Sequence, residues 1–134
     1  MAPVGSPFLA FASDAFPIEP DEDSSTNPGI FGRALAGFVA DALRAEGLSP
    51  SGPIAEDFGW LVVLPATSGS LLVVCASEDD SPRVWRVFVA AEGGWRARLL
   101  GRDRRAEDVA ALFARVRGIL ERSGRVTNLR EEPR

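Results

Sequence analysis

The chain has 134 residues, 46% of them apolar and 25% charged, with a net charge of −4, the size and balance of one globular domain around a single core. It contains no His, Lys, Tyr or Gln, and all fifteen cationic side chains are Arg. That excludes an imidazole base, histidine metal ligands, a Schiff-base lysine and the phosphate-binding Walker lysine. The one cysteine, Cys75, excludes an intramolecular disulfide and a cysteine metal cluster.

The first twelve residues are apolar but carry no Lys or Arg, and Pro3 and Pro7 interrupt them. They match a secretion signal poorly, and no apolar run reaches the roughly 18 residues that span a bilayer. A cytoplasmic chain without a membrane partner is the expectation. Pro3, Pro7, Pro17 and Pro20, with Glu19, Asp21, Glu22 and Asp23, make residues 1–26 an extended arm ending in an acidic linker. Phe8, Leu9, Phe11, Phe16 and Ile18 suit that arm to lie against the domain or a partner.

A single α+β domain is expected over residues 27–130, with 131–134 as a tail. Asn27-Pro28 predicts a helix start, a capping residue followed by proline at the first helical position. Ile30, Ala34, Leu35, Phe38, Val39, Ala42 and Leu43 form one apolar stripe. Gly47 supplies a left-handed C-terminal position, with Leu48 as its hydrophobic contact, and Pro50 forbids continuation.

Ser49 to Pro53 reads as a turn cluster. Four strands follow: Phe58–Leu64, Leu71–Ala76, Arg83–Ala90 and Trp95–Leu100, the last pair joined at Gly93-Gly94. Alternation places Phe58, Trp60, Val62 and Leu64 on one face and Leu61 and Val63 on the other. In the third strand Trp85, Val87 and Val89 oppose Val84, Arg86 and Phe88. Cys75, inside an apolar run, reads as a small core residue. Asp103 predicts the cap of a second helix with Glu107 and Asp108 in its first turn, and Gly124 ends it. Arg125 to Arg130 makes a short edge strand. The order implies an N-terminal helix, an antiparallel sheet of four or five strands and a C-terminal helix, with both helices on one sheet face. The other face stays more apolar than a solvated sheet.

Charge is polarised along the chain. Residues 1–82 hold two Arg against twelve acids, −10, and residues 83–134 hold thirteen Arg against seven acids, +6. Packing of the two halves on each other satisfies this pattern; a charged face for a partner of opposite sign is the sharper reading.

The densest chemistry lies in Glu56-Asp57-Phe58-Gly59-Trp60. Two carboxylates can divide acid and base roles, but neighbours on a strand point to opposite faces. A carboxylate anchoring the strand start, through backbone N–H groups or an Arg, accounts for them better. The stretch Pro53 to Trp60, entering an apolar strand, resembles small bacterial α+β domains of unknown function with a Glu-Asp-aromatic-Gly-Trp signature. The resemblance implies the fold and brings no activity.

Arg96, Arg98, Arg102, Arg104 and Arg105, with Trp95 for stacking, form a basic region that nucleic acid could use. Interleaved Asp103, Glu107 and Asp108 and a pI near 4.9 weigh against that. The function expected is a non-enzymatic protein-binding module, chaperone-like or immunity-like, whose partner is another protein or a second copy of the chain. The candidate contact residues are Glu56, Asp57, Trp60, Trp85, Trp95, Arg96 and Arg98, with no catalytic residue, metal or cofactor. The alternatives are a small-ligand protein or enzyme using Glu56 and Asp57, and a weak nucleic-acid binder.

Overall fold

Among residues 4–78, 81–93, 101 and 103–133, which the computed structural model describes, the chain forms six strands and two α-helices. In order these are β1 (Phe8–Ala12), a short 3-10 helix (Glu22–Ser24), α1 (Arg33–Ala45), β2 (Ser51–Glu56), β3 (Gly59–Pro65), β4 (Ser70–Glu78), β5 (Ser81–Glu92), α2 (Arg105–Arg122) and β6 (Thr127–Glu132). The strands make one antiparallel sheet in the order β2-β3-β4-β5-β1-β6. The class is α+β, as the sequence implies, with more strands than the four or five expected.

Period-two alternation decides which side of the sheet is inside. Trp60, Val62 and Leu64 of β3 stand opposite Cys75, Val73 and Leu71 of β4, which stand opposite Val87, Val89 and Ala91 of β5. These residues join Leu9 and Phe11 of β1 in one core with Leu35, Val39 and Leu43 of α1 and Val109, Leu112 and Val116 of α2. α1 lies against β2, β3 and β4, while α2 lies against β5 and touches α1.

Two strands come from segments that read otherwise in the sequence. The arm contributes β1, which is flanked by β5 and β6 and has Leu9, Ala10 and Phe11 fully buried. The domain therefore begins before residue 27. The turn cluster contributes β2, which tolerates Gly52 and Pro53 because it is an edge strand and has one side free of ladder bonds. At the other end, β6 takes in Glu131 and Glu132, shortening the tail. The expected strand Trp95–Leu100 lies outside the described residues.

α1 begins five residues later than Asn27-Pro28 implies. Gly29 takes φ +85, and Gly32, at φ +157, immediately precedes the helix. No side chain next to the helix caps it. The cap instead comes from Glu22, which is only 7% exposed. Its Oε2 accepts hydrogen bonds from the N–H groups of Gly32 (2.7 Å) and Arg33 (3.1 Å), and its Oε1 accepts one from Glu19 N–H (3.3 Å). A carboxylate at this position satisfies helix donors that would otherwise be orphaned and complements the positive end of the dipole. The other end follows the sequence. Gly47 has φ +92, its N–H donates to Arg44 O, and Leu48 N–H donates to Leu43 O, both at 3.0 Å. In α2, Asp103 accepts from Arg105 N–H at 3.0 Å, and Gly124 at φ +70 follows the last turn.

Removing the Glu22 cap strands two N–H groups in a buried setting. Glu22→Ala should lower stability by about 1–3 kcal/mol, and Glu22→Gln, which keeps an acceptor oxygen, by less. Urea midpoints at constant m-value check the order.

Candidate functional site

β2 and β3 form a hairpin in which Glu56 pairs with Gly59, leaving Asp57 and Phe58 as the two turn residues. This turn lifts Phe58 out of the inner face where alternation alone would put it, and its ring is 52% exposed. Glu56 and Asp57 are exposed, and their side chains make no hydrogen bond or ion pair with the described residues. Among the described residues, the expected anchoring of the strand by a carboxylate is not seen. What anchors the turn is backbone: Asn27 N–H donates to Asp57 O at 2.7 Å.

Gly59 is required by a close approach to the end of β4. At φ +154, a Cβ there would sit 2.7 Å from the Cys75 carbonyl oxygen, and a Cβ on Gly32 would sit 2.5 Å from the same atom. Two glycines thus let the hairpin and the start of α1 close on the end of β4. Phe31 and Ser77 complete the closure: Ser77 N–H donates to Phe31 O (2.8 Å) and Phe31 N–H to Ser77 Oγ (3.0 Å).

Both described tryptophans are core residues. Trp85 is 1% exposed, donates from Nε1 to Ser13 O at 3.2 Å, and meets the Phe16 ring edge-on at 6.1 Å. Trp60 is 7% exposed, with the Arg33 guanidinium 5.7 Å from its ring centre and no partner for its buried Nε1. Trp95, Arg96, Arg98 and Arg102 lie outside the described residues. Beside them, Arg104 pairs with Glu107 and Arg105 with Asp103. Among the described residues, four ion pairs bridge the basic and acidic parts of the chain: Arg83 with Asp14, Arg86 with Glu78, and Arg115 and Arg122 with Glu46. Internal packing of opposite charges thus absorbs part of the polarity seen in the sequence.

The side of the sheet away from the helices carries the unexplained chemistry. One cross-strand ladder reads Ile54, Leu61, Val74, Phe88, Phe8 and Glu132 from β2 to β6. Its neighbour reads Glu56, Gly59, Ala76, Arg86, Ala10 and Arg130, and on the far side Val63, Leu72 and Ala90 stand in register. Phe8 and Phe88 meet edge-on at 5.4 Å. Between them and Phe58 lies an open groove of about 530 Å³ floored by Val74 and Ala76. A charged ribbon borders it: Arg86 pairs with Glu78 (2.9 Å) and Glu132 (3.4 Å), Arg130 pairs with Glu132 (3.2 Å), and the Arg86 guanidinium stands 5.3 Å from the Phe8 ring centre. Of the described candidate contact residues (Glu56, Asp57, Trp60 and Trp85), the ladders bring Glu56 to this face, at its margin. Phe8, Val74, Glu78 and Arg130 were missed as a group because their common face emerges only from the register of distant strands. The excess of apolar residues at Leu61, Val63 and Phe88 was the available signal.

Comparison with protein-family models, curated proteins and solved structures finds no match. Among the described residues, no group of three or more His, Cys, Asp or Glu side chains is placed to hold a metal ion, and no helix is long and apolar enough to cross a membrane.

The tryptophans differ in a way stability can read. Trp85→Phe strands the Ser13 carbonyl, whereas Trp60→Phe removes a donor that already lacks a partner. The first should cost about 1–2 kcal/mol more than the second in urea unfolding. Burial pushes the fully enclosed Cys75 thiol from 9.0 up to about 12. Its native thiolate fraction at pH 8 should be about a thousandfold below that of a free thiol, so a thiol reagent should label the chain only on unfolding. The thiol's contribution to stability is complete below pH 9.0 and is lost as pH rises toward 12.

Proposed function

We propose that this chain is a non-enzymatic protein-binding module whose working surface is the outer face of the sheet. The observation that carries the reading is the ladder Ile54–Leu61–Val74–Phe88–Phe8, apolar across five strands, on the side opposite the helix-covered core. An antiparallel sheet with one free face normally presents polar residues there. This face instead has an apolar centre and a charged border, the anatomy of a protein interface. Phe58, 52% exposed, and Ile54, 42% exposed, are its large exposed apolar side chains. Fully burying such a side chain is worth about 1.5–3 kcal/mol.

The sheet's edges support this choice of surface. β2 carries Pro53 within the strand, and β6 carries Asn128 at φ +56 together with Arg130, Glu131 and Glu132. Both features discourage pairing with an added strand, which leaves the face as the surface for association. The exposure of Glu56 and Asp57 at the β2–β3 hairpin, with no side-chain partner among the described residues, argues against catalysis. The pairing of Arg104 and Arg105 with their own acids argues against nucleic acid. A small acidic domain of this kind suits a partner-specific chaperone or an immunity-type protein, and the resemblance of Pro53–Trp60 points to a bacterial source.

Immobilised chain exposed to extract from its own source cells should retain a protein at near-stoichiometric level, and a Phe58→Asp, Phe88→Glu variant should not. Far-UV circular dichroism of the variant should match the parent, since neither ring belongs to the core. Equal retention by both proteins would sink the reading.

A further inference from the structure

The charge pattern of the outer face specifies an occupant. Building on the reading of that face as the working surface, we infer that it is covered by a second copy of this chain, packed face to face about a two-fold axis that runs along the strands between β4 and β5. Such an axis lays β2 of one copy over β6 of the other, β3 over β1, and β4 over β5, because the strand order is β2-β3-β4-β5-β1-β6. Aligned packing of two sheets about 10 Å apart is a common way to bury such faces.

The charges fit that superposition. Along the ladder that begins at Glu56 and ends at Arg130, the β2–β3 turn is acidic and the β6 end carries the cation. Reversing the ladder sets Glu56 over Arg130 of the second copy, and Arg130 over its Glu56. Glu56 and Asp57 carry no side-chain partner among the described residues, so the contact gives a role to two carboxylates that those residues leave unused. An interface that repeats on itself must be self-complementary in this way.

The apolar residues fit as well. In the adjoining ladder, reversal places Phe8 over Leu61 and Phe88 over Val74, aromatic rings against smaller aliphatic side chains. The groove floored by Val74 and Ala76 receives the Phe88 ring of the second copy. Six strands about 4.8 Å apart, over a length of about 23 Å, give a planar footprint of ~650 Å² per copy. That approaches the ~800 Å² per partner of a stable complex.

Within one chain, positions 56 and 130 stand five strand spacings apart, about 24 Å; across two sheets about 10 Å apart they face each other beyond the ~7 Å limit of a disulfide but within reach of a short bismaleimide. Such a bridge between them must therefore join two copies, and buried Cys75 does not compete. When Glu56→Cys and Arg130→Cys chains are refolded together and treated with the bismaleimide, a covalent heterodimer should form, while either variant alone should stay uncrosslinked. In sedimentation, the parent should be a dimer at micromolar concentration. Glu56→Arg or Arg130→Glu alone should weaken it by about tenfold, and the two together should restore it. A monomeric parent at ~100 µM, or a dimer whose mixed cysteine variants do not crosslink, overturns the inference. If the parent is monomeric and Phe58→Asp, Phe88→Glu still abolishes capture of a different protein, the second-copy inference falls and the protein-binding reading stands. If that variant alters neither assembly nor capture, both fall.

Discussion

A buried carboxylate holding the start of α1 is the contact on which the remaining geometry depends. Glu22 lies in the connection between β1 and α1, ten residues before the first helical N–H groups it accepts. By fixing where α1 begins, it fixes where Gly32 passes the Cys75 carbonyl and where Phe31 meets Ser77. Those contacts tie the helix to the end of β4, and the Asn27–Asp57 bond ties the same connection to the β2–β3 turn. A helix displaced by one turn would move about 5.4 Å along its axis and lose these backbone contacts together. The acidic linker is thus a structural strap, and its charge is used where helix donors converge.

The sheet then sorts two apolar sets by the same alternation. The inner set is closed by α1 and α2, and Trp85 and Phe11 are its largest fully buried members. The outer set has comparable residues at its centre but only its own side chains for cover: Phe8 leans on Phe88, and Phe58 folds out of the turn beside Ala76. Leu61 and Val74 are nearly buried on that side despite the absence of a helix above them among the described residues. Large neighbours shield the centre of the face and leave the groove and the Phe58 ring in contact with water. Such a face retains an apolar surface whose burial is favourable, while the Pro53 and charged edges keep its strands from finding partners indiscriminately.

Local signals made much of this architecture legible. The end of α1 at Gly47-Leu48, the start of α2 within two residues of Asp103 and the inner positions of β3, β4 and β5 depend on residues within a few positions of each other. The misreadings share a different origin. The cap of α1 is remote, so Asn27-Pro28, locally well suited, was outcompeted by Gly29 and Gly32 and by Glu22. β1 looked like an arm because prolines flank it, yet Leu9 and Phe11 are claimed by strands far away in sequence. Pro53 signals a turn unless its strand is known to be an edge. Phe58 obeys alternation only if β3 begins before it, and the hairpin begins β3 at Gly59 instead. The surface grouping of Phe8, Val74, Arg86 and Arg130 required the register of five strands, information that no short stretch contains.

The sequence-level charge imbalance takes on a physical meaning once the strand order is known. Acidic and basic segments could have neutralised each other wholly within the fold, and Glu46, receiving both Arg115 and Arg122, shows that process. It is incomplete at the β2–β3 turn, where two adjacent carboxylates project beside an exposed phenylalanine and no cation among the described residues pairs with them. Exposed carboxylates are well solvated, so the fold loses little by leaving them unpaired. The same placement makes the two margins of one apolar field unlike, the turn carrying carboxylates alone and β6 carrying Arg130 paired with Glu132. Burying that field brings the polarity into play, because apolar contact supplies attraction without direction and the unlike margins restrict which orientation can form.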